Sequence, residues 1–266
     1  MNAKRPIVAA IAIGSLIFLY VPSLAVAVFS VNNARYGLTW KGFTWKWHQQ
    51  LFQNEAILEA ALNSLLVAGV STAIATILGT ALALGLDRFP WPRRLSTAMD
   101  LLVHLPVVTP DIILAAALVL SFNFLRGFSE IFDLGMGTLI LGHITFQISF
   151  VTLVVRSRLA ALGRDIDEAA RDLYATGPYL FFRITLPLLM PGILAGAMLA
   201  FTLSLDDFII SFFAHGPDSV TLPIYIYSSI RRGISPEIHA LSTLVLMATV
   251  ILVLIAERFS RFRAAV

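Results

Sequence analysis

Six runs of apolar side chains, each about as long as a lipid bilayer is thick, dominate this chain. A helix needs roughly 20 such residues to cross the hydrocarbon core. The runs lie near Ile7–Phe29, Ala60–Leu86, Ala98–Asn123, Gly137–Val155, Pro191–Phe213 and Ala240–Ala256. The third is the least clean, carrying His104, Pro106, Pro110 and Asp111. Only 13% of the residues are charged, against about 25% in a soluble domain. The expected fold is all-α, a polytopic membrane protein with six transmembrane helices. Cysteine is absent, which excludes a disulfide framework and thiolate chemistry.

The first run has two readings. Lys4-Arg5 precedes it and Ala25-Val26-Ala27 resembles a cleavage site. A signal h-region spans only about 7–15 residues, so the length favours a retained helix. With the N-terminus inside, 13 of the 19 basic residues fall on inner segments, among them Arg88, Arg93, Arg94, Arg156, Arg158, Arg164 and Arg171. The outer segments hold Arg35, Lys41, Lys46, Arg126, Arg231 and Arg232. The positive-inside rule then places both termini in the cytoplasm. Trp40, Trp45 and Trp47 fall in the first outer loop, where aromatic rings suit the interface. Small residues recur every four positions at Ser71, Ala75, Gly79 and Ala83, and at Gly192, Gly196 and Ala200. Such stripes let helices approach closely in lipid, either within the chain or against a partner subunit.

The longest inner loop, 156–190, carries more than a connection needs. Arg158–Leu162 and Ile166–Tyr174 read as short helices, Asp165 or Asp167 is placed to cap the second, and Gly177-Pro178 marks a turn. Phe181, Phe182, Ile184 and Leu186 come next, then Pro187 and Pro191. The residues alone fit either a docking surface for another protein or a helix lying on lipid headgroups.

Glu168-Ala169-Ala170, closed by Ile184-Thr185-Leu186-Pro187, resembles the EAA signature of ABC-importer permeases. The chain departs from it at Tyr174, where the family has Gly. A left-handed Tyr costs roughly 1–2 kcal/mol, so either the turn moves to Gly177 or Tyr174 stays helical. The resemblance covers nearly the whole chain and is closest to permeases of spermidine/putrescine importers, the PotC-like group. It is carried by Tyr36-Gly37, Trp40, Gly42-Phe43, Lys46-Trp47, Pro110-Asp111-Ile112 and His143-Ile144-Thr145-Phe146. Phe201-Thr202-Leu203-Ser204-Leu205-Asp206-Asp207 and Gly233-Ile234-Ser235-Pro236-Glu237 are more discriminating.

The resemblance implies the type I importer permease fold: one permease domain over 1–266, core helices about 60–256, and the EAA coupling loop at 156–190. It implies ATP-driven import of polyamines by alternating access. It also implies a cytoplasmic ATPase dimer that binds ATP and Mg, a second homologous permease subunit and an extracytoplasmic polyamine-binding protein. Glu168, Ala169, Ala170, Gly177, Ile184, Leu186 and Pro187 are the expected ATPase-coupling residues. The expected location is a bacterial inner membrane, in contact with lipid and not with nucleic acid.

Asp111, Asp206 and Asp207 lie inside the expected spans. A charge at the bilayer centre costs at least about 2.5–3.5 kcal/mol and usually faces a bundle interior or a wet path. At 1.5 Å per residue, Asp111 and Asp206 stand at similar depth, about 20 Å up their helices. One reading is a series of carboxylates along a cation path, helped by aromatic faces, with Ser204 and Trp47 as further path residues. The other makes Asp111 a helix cap or a partner of backbone freed by proline. Adjacent residues on a helix point about 100° apart, so only one of Asp206 and Asp207 is expected to face the path. Trp47 reads equally as an interface anchor, and His104 and His143 as a proton relay or as hydrogen-bonded packing.

No G-x-x-x-x-G-K-[ST], H-E-x-x-H or G-x-S-x-G occurs, so neither a phosphate-cradling loop nor a catalytic constellation is expected. A non-catalytic subunit is expected, with no cofactor or metal of its own. A permease for another small cationic or amino-acid-like solute is an alternative, and a stand-alone secondary transporter or channel is the competing class.

Overall fold

The computed structural model describes residues 4–34, 39–163, 165–232 and 236–264, without the side chains of 4–7 and 252–264. Arg35, Tyr36, Gly37, Arg164, Gly233, Ile234 and Ser235, singled out above, lie outside the described residues. Regular structure among the described residues is helical apart from one isolated bridge between Asn32 and Phe43. The chain divides into two compact units, Met1–Leu58 with Ile226–Val266, and Glu59–Tyr225.

In the first unit, α1 (Lys4–Phe29) packs along α12 (Pro236–Ala264), as does the short α2 (Lys46–Gln53). The apolar side chains of α1 stay exposed, Phe18 at 84%, the pattern of a helix sheathed by lipid rather than water. Asn32 organises the segment before α2. Its amide donates to the Thr39 carbonyl at 3.0 Å and its Oδ1 accepts from the Lys41 amide at 2.9 Å. Asn54 donates to Glu237 at 3.1 Å.

The second unit is built on long helices. α3 (Glu55–Arg88) starts in the first unit and runs 34 residues, about 51 Å at 1.5 Å per residue. α6 (Met136–Leu162) also forms one unbroken helix. Gly163, at φ 69, ends α6 and admits α7 (Asp165–Asp172). α8 (Gly177–Tyr179) leads through a π-helical turn, Leu180–Thr185, into α9 (Leu186–Asp206). α8 to α9 make one 30-residue helix long and apolar enough to span a membrane.

The third and fifth spans depart from expectation. Ala98–Asn123 is no single helix. α4 (Arg93–Val108) and α5 (Asp111–Leu125) meet at 111°. Pro110 disfavours the helical region for the residue before it, and Thr109 is extended, at ψ 132. The fifth span starts at Gly177 instead of Pro191 and stops at Asp206. Pro187 lacks the amide an α-helix needs, and the π turn before it shifts the register, with Leu186 donating to Phe181 five residues back. Asp207 is extended, at ψ 120, and the chain resumes as α10 (Ile209–Ala214), followed by α11 (Leu222–Arg232). Less of 156–190 is therefore loop than expected, because α6 occupies its beginning and the α8–α9 helix its end.

Both small-residue stripes pack within the chain, against α6. A Cβ on Gly79 would lie 2.8 Å from Val151 Cβ, and one on Gly192 2.7 Å from Arg158 Cβ. Ser71, Ala75 and Ala83 are fully buried. Close approach brings polar groups into reach, the usual glue between helices in lipid. Thr152 donates to the Gly79 carbonyl at 3.1 Å, and the buried Gln147 donates to the Ala200 carbonyl at 3.0 Å.

Candidate functional site

The two backbone breaks build one site. α5 begins at Asp111 and α9 ends at Asp206. A cavity of about 260 Å³ lies between them, lined by Pro106, Asp111, Phe146, Phe150, Leu203, Asp206, Asp207, Phe208, Ile209 and Ile210. Three carboxylates thus share one cavity with three phenylalanines, and among the described residues no basic side chain lines it. The 100° divergence expected for Asp206 and Asp207 does not apply, because the helix ends between them and both reach the cavity.

The three acids differ in what holds them. Asp111 and Asp206 are exposed, and no other side chain engages either among the described residues. Asp207 is engaged on both oxygens. Its Oδ1 accepts from the Ile210 amide at 3.3 Å, and its Oδ2 from the Ser211 amide at 2.8 Å. Those are the opening amides of α10, which lack partners inside the helix. His143 Nε2 stands 3.4 Å from the same Oδ2. Asp207 is a structural acceptor at the cavity wall, whereas Asp111 and Asp206 face the cavity without a hydrogen-bonding side chain. Phe146 and Phe150 meet edge to face, centroids 6.3 Å apart, and aromatic faces attract cations within about 6 Å.

Ser204 and Trp47 are not in this cavity. Ser204 is buried, its hydroxyl 2.6 Å from His143 Nδ1. Trp47 belongs to the first unit, where it is buried with its indole N–H on the Asn32 carbonyl at 2.8 Å. His104 Nδ1 is 2.7 Å from the Asp100 carbonyl on its own helix. Sequence reading missed Phe146, Phe150, Phe208 and Ser211. Phe146 had a visible signal, standing one helical turn after His143.

A second cavity, about 340 Å³, lies at the Glu168 segment, lined by Leu84, Arg88, Asp167, Glu168, Arg171, Gly177, Leu180, Phe181 and Thr185. Arg88, the last residue of α3, pairs with Asp167 in the first turn of α7 at 2.8 Å. On α7, Ala170 is buried, while Glu168 and Ala169 are exposed. Neither expected turn geometry occurs. Tyr174 itself takes the left-handed conformation, at φ 61. The Tyr174 amide donates to Arg171 at 2.9 Å and the Ala175 amide to Ala170 at 3.0 Å. That pattern is a Schellman cap with Tyr174 in the position glycine usually fills. Leu173 and Tyr174 project outward, 82% and 94% exposed. Ile184 lies in the π-helical turn, and Leu186 and Pro187 open α9. Among the described residues no group of three or more His, Cys, Asp or Glu side chains is placed to hold a metal ion.

A family model described as "Binding-protein-dependent transport system inner membrane component" matches residues 75–263. The putrescine transport system permease protein PotI of Escherichia coli (strain K12) is 42% identical over 240 residues, covering 90% of this chain and 85% of that protein. The spermidine/putrescine transport system permease protein PotC of Haemophilus influenzae is 35% identical over 244 residues, covering 92% of each. A bacterial ABC transporter involved in import of the acidic polysaccharide alginate has a chain that superposes with TM-score 0.76 at 20% identity, over 97% of this chain and 94% of that one. A chain of the MetNI methionine ABC transporter superposes with TM-score 0.60 at 18% identity, over 82% of this chain and 98% of that one.

Proposed function

This chain belongs to the family of binding-protein-dependent transport system inner membrane components, and from that premise we propose that the Asp111–Asp206 cavity is a way-station for polyamines on their path through the membrane. The chain is a non-catalytic permease subunit of an ATP-driven importer. One observation carries the polyamine reading: two carboxylates without side-chain partners and three phenylalanines line one cavity that, among the described residues, has no basic side chain. Separated ammonium groups match such a wall, each trading hydration for a carboxylate while the aliphatic links lie on aromatic faces.

Both termini are cytoplasmic and the host membrane is a bacterial inner membrane. That orientation puts the Glu168 segment beside a cytoplasmic ATPase dimer, which binds ATP and Mg. A second homologous permease completes the membrane part, and an extracytoplasmic polyamine-binding protein delivers the substrate. The two compact units act as parts of one permease domain. Closure of the ATPases pulls on α7, whose Arg88–Asp167 pair passes the movement to α3 and whose chain continuity passes it to α6 and the α8–α9 helix.

Competition in cells carrying the full operon tests the substrate class. Spermidine and putrescine are expected to block labelled polyamine uptake, whereas monoamines and neutral amino acids leave it unchanged. Equal competition by a neutral amino acid would assign the cavity to another solute.

A further inference from the structure

We propose that His143 is a positioning residue for transport, clamping the break between α9 and α10 and so fixing where Asp206 stands relative to Asp111. The proposal rests on the reading of this cavity as a cation path. His143 sits on α6 and is 1% exposed. Its Nδ1 lies 2.6 Å from Ser204 Oγ on α9, before the break. Its Nε2 lies 3.1 Å from Ser211 Oγ on α10, after the break, and 3.4 Å from Asp207 Oδ2 within it. One imidazole therefore ties three helices together across the two-residue break at Asp207 and Phe208.

Packing alone does not account for this arrangement. A space-filling side chain needs only the right volume, whereas both ring nitrogens here have partners on different helices. Asp207 holds the start of α10 through two amides, but those bonds tie it to α10 alone. The polar tie back to α9 runs through His143 and Ser204. Asp206 adjoins Asp207, so any slip of the break carries Asp206 with it, and misplacement by about 1 Å is enough to spoil a positioned group.

The clamp also has a lever behind it. α6 runs back from His143, and the α8–α9 helix from Ser204, to the Glu168 segment, about 29 and 41 Å at 1.5 Å per residue. They pack closely along the way, at Gly196 against Val151 and Gly192 against Arg158. Motion at α7 reaches the carboxylates through two helices that His143 holds in register.

The test uses the complete importer in liposomes and reads polyamine moved per ATP hydrolysed. His143→Leu fills the volume without polar atoms and is expected to lower that ratio about tenfold. His143→Gln places an amide near the Nε2 position and restores most of it. Ser204→Ala with Ser211→Ala, which leaves the core volume nearly intact, lowers it several-fold and decides the matter if His143→Leu fails to assemble. An unchanged ratio in either assembled variant overturns the clamp. Asp111→Asn in the same preparation separates the two ideas. If it lowers uptake while the His143 and serine variants do not, the clamp alone is wrong. If those variants lower the ratio while Asp111→Asn leaves uptake intact, the clamp stands and the cation path fails.

Discussion

Asp111→Asn combined with Asp206→Asn is expected to cut polyamine uptake at least tenfold while leaving the assembled complex intact. Each carboxylate lacks a side-chain partner among the described residues, so neither substitution strands a buried cation. Insertion becomes easier as well, because a charge in the membrane costs more than a neutral amide. Asparagine keeps the shape and removes the charge that faces the ammonium. Each 1.4 kcal/mol of lost attraction is about a tenfold change. Asp207→Asn should behave differently. It weakens the acceptor at the start of α10, so it lowers the thermal midpoint of the solubilised complex as well as uptake. A radiolabelled uptake assay beside a melting curve separates the two: the Asp111/Asp206 pair changes uptake only, and Asp207 changes both. Full uptake by the double variant would remove the cation path.

Glu168→Lys is expected to abolish uptake by a different route. Glu168 is exposed on α7 and lines the cavity at that segment. Substitution at such a surface usually moves stability by no more than about 0.5 kcal/mol, so the permease keeps its melting temperature. Reversing a charge at a docking face costs several kcal/mol of recognition, and docking of the ATPase weakens at least about 30-fold. Co-purification of the ATPase checks this directly. Retained ATPase with full uptake would show that the Glu168 face is not the coupling surface. Tyr174 closes the C-terminal end of the same helix. Its left-handed backbone costs roughly 1–2 kcal/mol, yet its side chain is almost wholly exposed, which fits a ring kept for a partner.

The unbroken spans were legible because α1, α3 and α6 are uninterrupted apolar runs. The α4–α5 break and the π turn before α9 were visible only as prolines. Pro110 and Pro187 look alike on paper, but Thr109 before Pro110 leaves the helix and the chain turns through 111°, while a π turn accommodates Pro187 and the helix continues. Local sequence does not separate these outcomes, because packing on neighbouring helices decides which backbone groups find partners. The same limit applied to Asp206 and Asp207. Both read as costly charges, but a helical wheel sets them apart because nothing local announces that α9 stops between them. Ser204 stands beside the acids in sequence, and its partner His143, 61 residues earlier, comes within reach only once α6 and α9 are packed. Trp47 is legible as an aromatic of the loop between the first two spans, and its bond to Asn32 forms only when the first unit folds.

The most direct measurement reconstitutes the complete assembly in liposomes loaded with ATP on the ATPase side and tracks labelled spermidine or putrescine. Uptake is expected to need ATP hydrolysis and the binding protein, and to vanish when the ATPase subunits are omitted. Polyamine entry through this chain without an ATPase, driven by an ion gradient, would contradict the account.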